Sequence, residues 1–77
     1  MKEREFSKLE IDILKLVALG YENKDIAKRL YVSSHSVKAY IAVILKKLGA
    51  VNRTHATYIA VKRRLIPKNL ERNVKEI

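Results

Sequence analysis

A chain of 77 residues carries 17 Lys and Arg against 8 Asp and Glu, a formal net charge of +9, and so dense a positive charge on one small domain favours a polyanion as partner. There is no cysteine, which excludes a disulfide framework and a thiolate zinc site, and no apolar run approaches the roughly 18 residues of a membrane span. The N-terminus lacks a signal-peptide core, so a cytoplasmic protein with no membrane partner is expected, and the scarcity of glycine and proline favours an all-α fold.

Behind a charged lead, Met1 to Glu5, the run Ser7-Lys8-Leu9-Glu10 has the form of a capping box, with Phe6 as part of a hydrophobic staple. Leu9, Ile13, Leu16 and Val17 then share one helical face, flanked by Ile11 and Leu14, and Gly20 ends this first helix. Asn23 is the expected N-cap of a second helix, with Ile26, Ala27 and Leu30 at helical spacing behind it. The pattern breaks at Tyr31-Val32. Ser33 offers the next cap, Val37, Ile41, Ile44 and Leu48 form the next seam, and Gly49 closes the third helix as a C′ residue. Two capped helices about three residues apart have the dimensions of a helix-turn-helix. Thr54 is the expected cap of a fourth helix reaching about Leu65, just before Pro67. Its inner stripe is Ala56, Ile59 and Ala60, and Tyr58, Val61 and Leu65 fall nearly opposite, with Lys62 beside them. A second apolar stripe on a helix of a small domain suggests a partner, against the plainer reading of scattered surface hydrophobes. In the tail, Leu70, Val74 and Ile77 keep helical spacing and Asn69 could cap. A short fifth helix is one reading and a frayed end the preferred one.

Opposite the seam of the third helix lie His35, Ala39, Ala42 and Lys46, with Lys38 on one flank and Val43 and Lys47 on the other. Ser33, Ser34 and Ser36 bring hydroxyls and free backbone N–H groups to its first turn, which suit phosphate oxygens. Lys38 is long enough to reach a phosphate or a guanine edge, and Ala39 and Ala42 let the backbone approach a groove closely. Asn23 and Lys24 at the start of the second helix complete the candidate DNA-binding set. Any single lysine here, taken alone, reads first as an ordinary solvated side chain. The helix-turn-helix frame and the net charge move the face as a whole toward DNA.

These residues resemble a known family. Phe6-Ser7, Glu10, Asp12-Ile13-Leu14, Gly20, Asn23-Lys24-Asp25-Ile26-Ala27, Leu30, Val32-Ser33, Ser36-Val37-Lys38, Lys47-Leu48-Gly49, Asn52-Arg53-Thr54 and Ala56 are similar, without gaps, to the LuxR-type or GerE-like helix-turn-helix domain. The resemblance runs from Phe6 to Ile66, leaving residues 1–5 as a lead and 67–77 as a tail. It implies a four-helix domain whose third helix enters the major groove and whose fourth makes a dimer, for which the stripe Tyr58, Val61 and Leu65, with Lys62 beside it, gives an independent physical basis. It also suggests that Glu10 pairs with Arg53, pinning the first helix to the start of the fourth. Leu9 stands where the family commonly has Arg, Ser36 where it has Thr, Tyr40 where it has His, Ala42 where a longer polar side chain is usual, and Arg64 where Gly is frequent.

His35 and His55 are lone imidazoles without metal-ligand spacing, and no catalytic triad or Gly-rich phosphate loop is in view, so neither an enzyme nor a cofactor or metal site is expected. Asp12 and Asp25 are read as complements to helix N-termini. The leading reading is a sequence-specific double-stranded DNA-binding transcription regulator, weakly dimeric. The alternative is an adaptor that resembles a sigma factor's DNA-reading region and contacts RNA polymerase. A membrane-surface role is disfavoured, because the cations are spread over several helices with no Trp- or Phe-rich face. The chain has no room for a receiver or autoinducer-binding domain. If 77 residues are the whole protein, it is a stand-alone regulator.

Overall fold

The computed structural model describes residues 5–70, and among them the chain forms four helices and no strand. The first, α1, is Lys8–Ala18. Ser7 starts it with the expected capping box: its hydroxyl accepts from the Glu10 N–H at 3.1 Å, and the Glu10 carboxylate accepts from the Ser7 N–H at 2.9 Å. At the far end the Gly20 N–H reaches the Val17 carbonyl and the Tyr21 N–H the Leu16 carbonyl, a reversal made possible by a φ of +90° at Gly20.

The second helix, α2, is Asn23–Leu30. Asn23 is its first helical residue and not its N-cap. Glu22 holds the cap position without a side-chain bond, and the Asn23 side-chain oxygen accepts from Arg53 Nη2. Only Tyr31, Val32 and Ser33 separate it from α3, Ser34–Leu48. Here the expected cap is present: Ser33 Oγ accepts from the Ser36 N–H at 3.0 Å. Gly49, at φ +70°, ends α3, and the Ala50 N–H closes on the Leu45 carbonyl.

The fourth helix, α4, is Arg53–Lys62, displaced toward the N-terminus from the expected span. Asn52 caps it in place of Thr54, its side-chain oxygen accepting from the His55 N–H at 2.8 Å, in line with the stronger capping preference of Asn. The helix stops at Lys62, short of Leu65, because Arg64 turns to φ +61°. The Arg64 N–H then bonds the Val61 carbonyl and the Leu65 N–H the Ala60 carbonyl. Arg64 therefore takes a left-handed conformation that favours glycine.

The core has contributions from all four helices. Ile13, Leu14, Leu16, Ile26, Val37 and Ile44 are its largest fully buried side chains, so Leu14 is central and not flanking as the spacing suggested. Both α1 and α3 touch each of the other helices, and the short α2 is held mainly by α3. After α4 the chain returns inward, and Ile66 and Leu70 join the core at 3% and 6% exposure, so packing continues past Pro67. Whether the tail frays, as preferred, or forms a short fifth helix with Val74 and Ile77 turns on residues 71–77, which lie outside the described residues.

Tyr31 ends α2 at φ 59° with its side chain 94% exposed. The left-handed region costs a non-glycine residue about 1–2 kcal/mol, and the ring has no burial to offset that. Glycine loses more backbone entropy on folding, which returns part of the gain. Tyr31→Gly is expected to raise thermal stability by about 0.5–1 kcal/mol in a melting experiment, and an unchanged or lowered melting temperature would contradict this account of the turn.

Candidate nucleic-acid interface

α3 buries one side and leaves the other open. Val37, Ile41, Ile44 and Leu48 face the core, while His35, Lys38, Ala39, Ala42, Val43 and Lys46 are exposed, as their spacing predicts. No residue of α3 is acidic. Between the starts of α2 and α3 lies a shallow cleft lined by Asn23, Lys24, Ser34, His35 and Lys38, five of the sequence-expected site residues, together with Glu22. Ala39, Ala42 and Lys46 continue from it along the exposed side of α3. The first N–H groups of a helix lack intrahelical partners, so those of Ser34 and His35 form the positive end of α3's dipole beside the cleft. The serine hydroxyls are less free than expected. Ser33 Oγ donates to Ser36 Oγ at 3.0 Å while it caps the helix.

Two cations do not serve the outer surface. Lys47 folds back across the start of α1, donating to both oxygens of Glu10 at 3.0 and 3.1 Å and to the Glu5 carbonyl at 2.8 Å. Its ammonium also lies 5.3 Å from the centre of the Phe6 ring. Arg53 donates to the Tyr21 carbonyl and to Asn23, and so fastens the start of α4 to the loop between α1 and α2. The expected Glu10–Arg53 pair is therefore replaced by two separate ties, Glu10 to Lys47 and Arg53 to the loop. Burial pushes the Glu10 carboxyl up, but the Ser7 N–H and the Lys47 ammonium pull further the other way and leave it below the usual glutamate value. Asp12 pairs with Lys8 at 3.0 Å, one turn away on α1, and does not complement a helix N-terminus.

The expected outward stripe of α4 is narrower in the structure. Tyr58 is 60% exposed, with the Lys62 ammonium 5.7 Å from its ring centre. Val61 and Leu65 are half-buried against the core, and Leu65 lies beyond the helix end. Val61 instead lines grooves shared with Ile66, Pro67 and Lys68. Tyr31, where the helical pattern breaks, is exposed in a left-handed conformation that no glycine flags.

The family model described as bacterial regulatory proteins, luxR family, matches residues 4–60. Among curated relatives, the chain is 38% identical over 61 residues to the uncharacterized transcriptional regulatory protein YxjL of Bacillus subtilis, covering 79% of this chain and 28% of that protein. It is 42% identical over 60 residues to the oxygen regulatory protein NreC of Staphylococcus aureus, covering 78% of this chain and again 28% of the relative. The chain thus spans a little over a quarter of the length of these relatives. No solved structure gives a significant match. Four helices in the expected order, the turn between α2 and α3, and a family match over most of the chain agree: the chain belongs to the LuxR family of bacterial regulatory proteins.

Proposed function

We propose that this chain is a sequence-specific double-stranded DNA-binding transcription regulator, with α3 in the major groove and the cleft at the start of α2 and α3 against a phosphate strand. The observation that carries the reading is the open side of α3, a helix of 15 residues with no acidic side chain and with Lys38 and Lys46 exposed. A side this open adds nothing to the core, and its width suits a major groove. Lys38 lines the cleft and flanks the open side, so it reaches either a phosphate or a guanine edge. Lys38→Ala is expected to weaken binding to a selected duplex about tenfold by fluorescence anisotropy, within the usual cost of one such contact. Lys46→Ala should act evenly on selected and random duplexes. If Lys38→Ala bound both duplexes like wild type, α3 would not be the reader.

The same reading places two copies on DNA through α4, related by a two-fold axis, with their α3 helices about 10 base pairs apart. Tyr58 is the exposed anchor and Val61 a half-buried neighbour. So small a patch falls far below the roughly 1,200 Å² of a stable interface, so pairing is weak without DNA. Tyr58→Glu introduces a charge at a position where the fold does not need the ring. It is expected to leave the monomer's melting temperature unchanged and to abolish cooperative protection of paired half-sites in footprinting. Unchanged cooperativity would move the dimer contact off α4.

A further inference from the structure

The open side of α3 has an unusual composition for a helix that reads bases. Between Ser34 and Leu48 there is no Arg, Asn, Gln, Asp or Glu. Arginine, asparagine and glutamine form the bidentate contacts that single out guanine and adenine in the major groove, and acidic side chains accept from cytosine. Of the polar groups on α3 and at its cap, the Ser33 and Ser36 hydroxyls are engaged with each other and Lys47 is folded back on Glu10, which leaves Ser34, His35, Lys38 and Lys46 exposed and none of them with the bidentate fork of Arg, Asn or Gln. Along the same side Ala39 and Ala42 are exposed, and Val43 is 46% exposed and does not pack on the core. A β-branched residue on a solvated helix surface contributes nothing to the fold and lowers helix propensity slightly. Three adjacent apolar side chains therefore sit where the groove floor would be, and the one apolar group that a base presents there is the 5-methyl of thymine.

We infer that α3 discriminates its site chiefly by packing Ala39, Ala42 and Val43 on thymine 5-methyl groups, so that its half-site is defined by thymines. Lys46 and the helix N-terminus fix register on the phosphates, and Lys38, at the cleft, adds at most one contact to a phosphate or a guanine edge. The inference rests on the placement of α3 in the major groove proposed above. It names the base edge that this chain reads and the residues that set its specificity.

Uracil pairs as thymine does and lacks only the 5-methyl, so it isolates the contact. Duplexes are first selected from a random pool with the wild-type protein. Each thymine of the selected half-site is then replaced by uracil, one at a time. At one or more positions the Kd is expected to rise about fourfold, the value of one buried methyl, while affinity for random duplex stays constant. Val43→Ser, checked for folding by its melting curve, should bind the thymine duplex more weakly and lose the response to uracil at the position that Val43 covers. If the protein prefers its selected duplex but is indifferent to every uracil, the methyl contact is wrong while DNA reading stands. If the uracil response survives unchanged in Val43→Ser, and likewise in Ala39→Ser and Ala42→Ser, it comes from DNA shape and the assignment to α3 is overturned. If no duplex is preferred, the DNA-reading role falls and the inference falls with it.

Discussion

Raising the salt concentration from about 50 mM to about 200 mM is expected to weaken duplex binding by roughly 100-fold per chain. The figure follows from counting cations free to meet phosphates. Lys24, Lys28, Lys38 and Lys46 are exposed on α2 and α3 with no side-chain partner among the described residues, whereas Arg29, also exposed, lies 5.1 Å over the Tyr21 ring, and Lys47 and Arg53 are committed to Glu10 and to the loop after α1. About four phosphates neutralised, each adding about 0.9 to the log-log slope, give a slope near −3.6. The formal net charge of +9 would suggest a much steeper slope if every cation served DNA. An isothermal titration series in potassium chloride separates the two. A slope near zero would remove phosphate contacts from the mechanism. A slope beyond about −8 for a single chain would mean that cations outside α2 and α3 take part. Two copies bound together should double the value, so the salt series and the Tyr58→Glu variant also check each other.

The parts of the fold that could be read ahead are those fixed by short-range chemistry. The Ser7 and Ser33 caps lie three residues from the N–H groups they bind, and the seams of α1 and α3 follow helical spacing. The open side of α3 was legible for the same reason, since it is what remains opposite the seam. Where two candidate caps lay close together, long-range contacts and capping strength decided. Asn23 looked like a cap until Arg53, distant in sequence, engaged its side chain, and Asn52 stood two residues ahead of the less effective Thr54. The partner of Glu10 was misjudged because spacing says nothing about which of two distant cations reaches a carboxylate. Lys47 lies on the turn of α3 that crosses the start of α1, and Arg53 points to the loop instead. The left-handed turns at Tyr31 and Arg64 carry no glycine, so the break after Leu30 and the departure at Arg64 show in the sequence without the conformation that each adopts. The burial of Leu70 depends on the chain turning inward after Arg64, a bend without a periodic signature.

Replacing Glu10 is expected to be among the most damaging changes outside the apolar core. Its carboxylate holds together the Ser7 cap of α1, the Lys47 ammonium from α3 and, through Lys47, the Glu5 carbonyl. Glu10→Gln retains an oxygen for the Ser7 N–H but loses the charge and the second oxygen that hold Lys47. Hydrogen bonds to charged groups contribute about 1.5–3 kcal/mol. The Lys47 side chain is 34% exposed and can turn to water, so a loss of about 2 kcal/mol is expected, below the cost of stranding a fully buried charge. In a domain this small that lowers the melting temperature by about 10 °C. The pH dependence separates the ion pair from mere packing. The folded protein holds the Glu10 carboxyl below its ordinary value, so the stabilisation is fully present above the unfolded-state value and is lost as pH falls through the lowered folded one. Wild type should therefore outlast Glu10→Gln by its full margin at neutral pH, and the two melting temperatures should converge as the pH drops below the normal glutamate range. A gap that stays constant down to strong acid would assign the effect to shape and the cap alone. A gap that widens in acid would reverse the sign argued for the Glu10–Lys47 pair.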